Sequence, residues 1–368
     1  MCTRIVNAIE ADDAIVFSRF MAMALYEPGL GYYVNGLHKF GAAGDFVTAP
    51  EQGRLFALAI ARQLGDVAQT LGRDWTVLEL GPGSGALARD VLLQLEHKPA
   101  RYLLLEPSAP LREVQRETLV DLPDDLRARV EWIAAPPKAQ FSGAIIANEV
   151  VDALPVERFR IAESRIEQLM VTVDAGRFAW SSRPAGGRLL AAVEHLTEDL
   201  VEPPGPGYVS EVCVDLADWL ATVAEPLDRG VVLLVDYGYP RREYYHPDRN
   251  DGTLVCHYRH RAHFDPFVWP GLTDISAFVD FTAVAEGGQR AGLDVAGFTH
   301  QAGFVLGSGV AERLAEVADE RERLRLSGEL KRLVMPGEMG EKFKLLALAR
   351  DLDCALDAFA FSDQLGRL

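Results

Sequence analysis

The sequence predicts an α/β protein built on a doubly wound, mostly parallel sheet, and three observations carry that prediction. From Thr76 onward, short apolar runs alternate with amphipathic stretches of helical period, the pattern of strands buried between two layers of helices. The first run, Val77–Leu80, opens into Gly81-Pro-Gly83-Ser-Gly85 and then directly into a helical stretch. Glycines there allow a tight turn that brings backbone N–H groups and a helix N-terminus against a ligand. The next run ends in Leu105-Glu106, which puts a carboxylate where ribose hydroxyls are bound in dinucleotide-type folds.

The elements follow in order. Ala14–Leu25 has apolar positions at helical spacing, and Tyr26-Glu-Pro-Gly-Leu-Gly-Tyr-Tyr33 breaks it with turn formers. Phe56–Leu64 is apolar and rich in alanine, so a second helix leads to the turn at Gly72-Arg73-Asp74. Residues 1–72 are therefore expected to form a helical cap, and residues 73–368 the sheet domain. Its strands are predicted at Val77–Leu80, Tyr102–Leu105, Val130–Ile133, Ala144–Ala147 and Val231–Val235, with helices at Ala86–Leu95, Leu111–Val120 and Val212–Val223. Two insertions interrupt the alternation. One, at about 157–205, begins with β-rich runs separated by Ala-Glu-Ser and Asp-Ala-Gly turns and reads as antiparallel strands. The other, 239–274, is dense in Arg, His, Tyr, Asp and Pro and has little periodicity. Beyond it, Ile275–Gln289 reads as helix, Leu293–Thr299 as strand, Val310–Leu333 as one long helix and Phe343–Ala349 as a final strand.

Composition narrows the function. With 368 residues, 49% apolar and 25% charged, the chain has globular proportions, which excludes disorder as its overall state. The net charge of −17 argues against a nucleic-acid partner, because no basic patch opposes it. The four cysteines show neither a C-x-x-C nor a Cys/His cluster, so no disulfide framework and no metal site is expected. No apolar run approaches the ~20 residues that span a bilayer. The amino terminus lacks the pattern of a signal or transit peptide, so a reducing cytoplasm is the expected compartment. The apolar cap helices are expected to be buried internally or across a homodimer interface.

The chemistry gathers at the strand ends. Gly81-x-Gly83-x-x-Ala86 with Glu106 suits NAD and S-adenosylmethionine equally. Glu79, in Glu-x-Gly-x-Gly-x-Gly, tips the balance toward a methyltransferase, whose sulfonium cofactor an acidic site attracts. After the fourth strand, Asn148, Glu149 and Asp152 project where ligands of open parallel sheets bind, and Asp236 follows the fifth strand on the same edge. Three acids are expected to face one cleft.

The motifs together resemble the MidA-like family of S-adenosylmethionine-dependent methyltransferases, whose mitochondrial members are protein arginine methyltransferases acting in respiratory complex I assembly. The resemblance rests on Glu27–Tyr33, Gly44–Glu51, Leu78–Gly85, Ala147–Pro155, Val235–Gly238, Gly252–Leu254, Asp274–Phe281 and Met339–Phe343, in that order along nearly the whole chain. It implies a Rossmann-like class I methyltransferase core and S-adenosyl-L-methionine as cofactor. It also implies contacts from Gly81, Gly83, Gly85 and Glu106, with the loop containing Gly44, Asp45, Phe46 and Thr48 closing over the cofactor. Departures from the family pattern are Val150-Val151 where two Phe are usual, Phe278 where His is common, and Ala57 in place of Gly.

The resemblance implies a protein substrate presenting an arginine. Its guanidinium arrives charged, and Glu149 and Asp152 are expected to hold two of its nitrogens and aim the third at the methyl group. Rival readings are a small-molecule methyltransferase, an NAD-dependent oxidoreductase and a non-catalytic assembly factor. The bases of the second insertion, Arg241, Arg242, Arg249, His257, Arg259, His260, Arg261 and His263, read equally as a lid gripping an acidic protein surface or as a solvated loop paired with the chain's acids.

Overall fold

Seven strands make the main path of the central sheet: β1 (Thr76–Leu80), β2 (Arg101–Leu105), β3 (Val130–Ile133), β4 (Phe141–Asn148), β5 (Leu227–Tyr239), β6 (Asp294–His300) and β7 (Phe343–Arg350), and an eighth, the two-residue Val279–Asp280, pairs parallel with the end of β5. The structure is a computed structural model that describes residues 1–36 and 49–368. The spatial order is β3-β2-β1-β4-β5-β7-β6. Neighbours from β3 to β5 run parallel, while β7 is antiparallel to both β5 and β6. This is the dinucleotide-fold order 3-2-1-4-5-6 with one reversed strand wedged between the last two. The order reverses between β1 and β4, so the crevice beyond their carboxyl ends is the expected ligand site.

Alternation of side chains explains the layers. Val77, Tyr102, Ile146 and Leu233 point to one face, where they meet helices Leu55–Leu71 and Ala86–Gln94. Leu78, Leu103, Ile145 and Leu234 point to the other, against helices Leu216–Ala224 and Phe281–Arg290. Helix Leu55–Leu71, expected in the cap, is thus a sheet-covering helix: its stripe of Phe56, Ile60, Leu64 and Val67 is fully buried on the sheet side.

The amino-terminal segment folds with the insertions. Helices Cys2–Asp12 and Phe17–Tyr26 flank a short strand, Ile15–Val16, that pairs antiparallel with Ile166–Asp174. Glu157–Ile161, Ile166–Asp174 and Arg177–Pro184 form the expected antiparallel insertion, extended by Val209–Val212. Phe17, Phe20 and Leu25 share one core with Val171, Cys256 and Ile275, so three distant stretches of chain make a single lobe.

Several boundaries differ from expectation, each for a local reason. The long helix expected at 310–333 is two helices, Val310–Ala315 and Glu320–Val334, because the Asp319 carboxylate caps the second by accepting from Glu322 N–H at 3.0 Å. The helix expected from Ile275 begins at Phe281, where Asp280 accepts from Thr282 and Ala283 N–H; Asp274–Ser276 ahead of it is a strand. The helix expected from Val212 begins at Leu216, and residues 209–212 join the insertion sheet. The 239–274 stretch contains a hairpin, Val255–Tyr258 with Arg261–His263, that pairs on to Asp274–Ser276.

Candidate active site

A cavity of about 860 Å³ opens at the carboxyl ends of β1 and β4, within the size range of small-molecule and cofactor sites. One half is built on a single β-turn-α unit. Gly81 and Gly83 take positive φ values of 56° and 53°, and a Cβ on Gly81 would lie 3.1 Å from Val150. Gly85, also at positive φ, starts the following helix and lets it approach Gln115. Gly81 and Gly83 line the cavity; Gly85 shapes the turn from behind.

Glu106 lines the same half and is buried. One of its carboxylate oxygens accepts from Ser108 N–H at 2.8 Å and the other from Gln115 Nε2 at 3.3 Å. Gln115 Nε2 also donates to the Gly83 carbonyl at 2.9 Å, while its Oε1 accepts from Trp132 Nε1 at 2.9 Å. Gln115 therefore couples the glycine turn to Glu106. The signal for it was a polar residue on the buried stripe Leu111-Gln115-Leu119 of an otherwise amphipathic helix. Glu79 reaches the cavity from within β1 and accepts from Tyr102 OH at 2.7 Å; burial pushes its carboxyl up to about 8.

The other half is acidic. Asn148, Glu149 and Asp152 all line the cavity, joined by Asp274 and Ser276 from the lobe. Glu149 sits at φ 53°, an uncommon backbone for a non-glycine residue, with its N–H held by the Val235 carbonyl at 2.9 Å and Asn148 Nδ2 3.3 Å from its Oε1. Burial, reinforced by neighbouring Asp152, raises the Glu149 carboxyl to about 8. Asp152 is raised well above the usual carboxylate range by burial and by the charges of Asp236 and Asp274.

Asp236 is corrected from the expected set of reacting acids. It is 1% exposed, does not line the cavity, and its oxygens are taken by the N–H groups of Val151 at 2.9 Å, Asp152 at 3.1 Å and Tyr237 at 2.9 Å. It holds the 148–155 loop from behind. The third acid of the cleft is instead Asp274, which accepts from Tyr33 OH and from Ser276 Oγ, each at 2.9 Å. Tyr26 stacks on Tyr33 with ring centres 5.7 Å apart and donates to the Ala153 carbonyl at 2.7 Å. Tyr32 and Tyr33 both line the cavity, from a turn-rich segment with no amphipathic stripe to fill. The expected contacts from Gly44, Asp45, Phe46 and Thr48 lie outside the described residues.

The insertion bases divide. Arg241 is 4% exposed and is ion-paired to Asp199 at 2.6 Å and to Glu286 at 2.7 Å, so it fastens the fold and does not grip a partner. Its guanidinium fills the cluster in which His195, Asp199 and Glu286 converge. Arg249 covers the Tyr239 ring at 4.3 Å. His257 lines the cavity.

A sheet in this order, with a glycine turn at its switch point, is that of the class I S-adenosylmethionine-dependent methyltransferases. Comparison with known proteins makes the assignment particular: the model of a family described as S-adenosyl-L-methionine-dependent methyltransferase matches residues 59–299, and the chain belongs to that family. A Burkholderia thailandensis protein crystallised with S-adenosyl-homocysteine is 40% identical, with a TM-score of 0.92 over 100% of this chain and 96% of that one. The Drosophila melanogaster protein named "Protein arginine methyltransferase NDUFAF7 homolog, mitochondrial" is 28% identical over 91% of this chain and 81% of its own length. The Homo sapiens protein named "Protein arginine methyltransferase NDUFAF7, mitochondrial" is 26% identical over 95% of this chain and 83% of its own. The cofactor is S-adenosylmethionine, and the oxidoreductase alternative falls.

The same relatives overturn the cytoplasmic expectation, since they are named as mitochondrial. Among the described residues no helix is long and apolar enough to cross a membrane.

Proposed function

We propose that this methyltransferase transfers its methyl group to an arginine side chain of a partner protein. The observation that carries the reading is the convergence of Glu149, Asp152 and Asp274 on the cavity that also contains the glycine turn and Glu106. The names of the relatives support the same acceptor. Lys342 is the one Lys or Arg among the described residues lining that cavity, so the acids face a space suited to an incoming cation.

The cofactor supplies a methyl group already activated by its sulfonium charge. Gly81 and Gly83 let it approach the backbone, Glu106 accepts from its ribose, and Gln115 keeps those two in register. On the acceptor side Glu149 and Asp152 bind the guanidinium, and Asp274 is fixed by Tyr33 and Ser276 to add a third negative charge. Drawing the guanidinium charge toward two nitrogens leaves the third more nucleophilic. As its N–C bond would form and the methyl's bond to the sulfonium sulfur break, leaving neutral S-adenosylhomocysteine, that nitrogen gives up a proton, for which the Glu149 carboxylate, with its raised pKa, is a suitable acceptor. Residues 1–36 and the two insertions serve as the acceptor lobe, and the sheet domain as the cofactor half.

The test is methyl transfer from radiolabelled S-adenosylmethionine to arginine-centred peptides, followed by amino-acid analysis. Label in methylarginine is expected. Label in another residue, or no transfer from protein that binds S-adenosylhomocysteine, overturns the arginine assignment.

A further inference from the structure

Exposed apolar residues lie on and next to the segment that follows the cavity-lining hairpin. On the segment after the 255–263 hairpin, Phe264 is 78% exposed, Trp269 56% and Leu272 44%, and neighbouring Leu30 is 41% exposed. This segment is anchored. Phe267 packs on Trp180 with ring centres 4.9 Å apart and on Phe20 at 5.4 Å, and Asn35 Nδ2 donates to the Gly271 carbonyl at 2.7 Å. The outward side chains are therefore displayed by a fixed backbone.

The hairpin tip is basic and constrained. Tyr258 pairs with Arg261, leaving Arg259-His260 as a two-residue turn with φ of 48° and 59°. That turn normally selects Asn-Gly, and holding two bulky side chains at positive φ is a strained choice. Arg259, His260 and Arg261 are exposed there, in a chain of net charge −17. The surface is continuous with the site: His257 and Val255 of the same hairpin line the cavity. At about 3.3 Å per residue the tip begins roughly 7 Å beyond His257, two or three residues of an extended peptide.

We propose that this hairpin and the 264–272 segment dock the acceptor protein, selecting a stretch with acidic and apolar side chains within a few residues of the methylated arginine. The inference rests on the protein-arginine reading and supplies its sequence preference. Acidic side chains meet Arg259 and Arg261, and an apolar side chain covers Trp269 and Phe264, aromatic and arginine groups being the usual anchors of an interface.

Dye-labelled 15-residue peptides with Glu, Leu and Phe flanking a central Arg or Ala are compared by anisotropy, in the presence of S-adenosylhomocysteine, with peptides flanked by Lys, Ser and Gly. The acidic-apolar flank is expected to bind at least about tenfold tighter, with either central residue, as loss of one anchor is typically worth that factor. Phe264→Ser/Trp269→Ser is expected to remove the preference, and Arg259→Glu/Arg261→Glu to turn it toward the Lys flank, each with unchanged S-adenosylhomocysteine affinity. Equal binding of the two flanks, or a preference unmoved by both variants, overturns the proposal. Tight docking of the acidic-apolar peptides without methylation of the arginine-centred one supports the surface and removes the arginine assignment instead.

Discussion

Replacing Glu149 by Gln removes a charge and a proton acceptor while keeping the shape and the constrained backbone. Losing one partner of a desolvated, hydrogen-bonded charge pair costs about 2–5 kcal/mol. Against that, the wild-type carboxyl, raised to about 8, must first ionise, which at pH 7 takes about 1.4 kcal/mol. The net loss is about 0.6–3.6 kcal/mol, or from about threefold to about four-hundredfold in kcat/KM. The sign with pH follows. Below the folded pKa the proton opposes guanidinium binding, so wild-type kcat/KM rises about tenfold per pH unit and levels above about 8, whereas the Gln variant lacks this rise. The assay is initial-rate transfer of radiolabelled methyl to an arginine-centred peptide between pH 6 and 9, with S-adenosylhomocysteine affinity as control. Variant kcat/KM within twofold of wild type across that range refutes the clamp.

Glu106→Gln exchanges charge-assisted hydrogen bonds for neutral ones; calorimetry is expected to show S-adenosylhomocysteine affinity lowered by about 1–2 kcal/mol, roughly five- to thirtyfold. Asp236→Ala strands three backbone N–H groups and is expected to lower stability in urea by at least about 2 kcal/mol; stability unchanged would return Asp236 to the list of reacting acids. Glu79→Gln tests a buried acid whose folded pKa, about 8, exceeds its unfolded value. The native state holds a proton that the unfolded chain releases, so this group lowers stability as pH rises from about 4.5 to 8. The variant's urea midpoint is accordingly expected to gain on wild type over that window, and a constant difference would contradict it.

The central sheet was legible because most of its strands are buried on both faces and appear as short apolar runs, broken only by Glu79 in the first and Glu131 in the edge strand β3; β1 through β5 lie where Val77, Tyr102, Val130, Ala144 and Val231 announced them. Boundaries failed where one polar side chain outweighed periodicity. Asp319 and Asp280 each start a helix inside a stretch whose apolar spacing continues through it, because a cap satisfies N–H groups that periodicity does not count. Cys2–Asp12 escaped notice because only Ile5 and Ile9 are buried on it, too narrow a stripe to register.

The two halves of the site differ in legibility for a related reason. The cofactor half is local: the turn 81–85 and Glu106 lie in consecutive β-turn-α units, so spacing alone brings them together. The acceptor half is assembled from the 26–33 turn, the 148–152 loop and the 274–276 strand, which meet only because Ile15–Val16 pairs with the insertion and Phe20 packs in the same core as Ile275. That explains the exchange of Asp236 for Asp274. Both acids are buried at strand residues, but Asp236 is enclosed by the loop it caps, whereas Asp274 is turned to the cavity by Tyr33, 241 positions away in sequence. No spacing rule encodes that contact. It also makes acceptor binding depend on the lobe in a way that cofactor binding does not, since the glycine turn and Glu106 are supported within the sheet domain by Gln115 and Trp132.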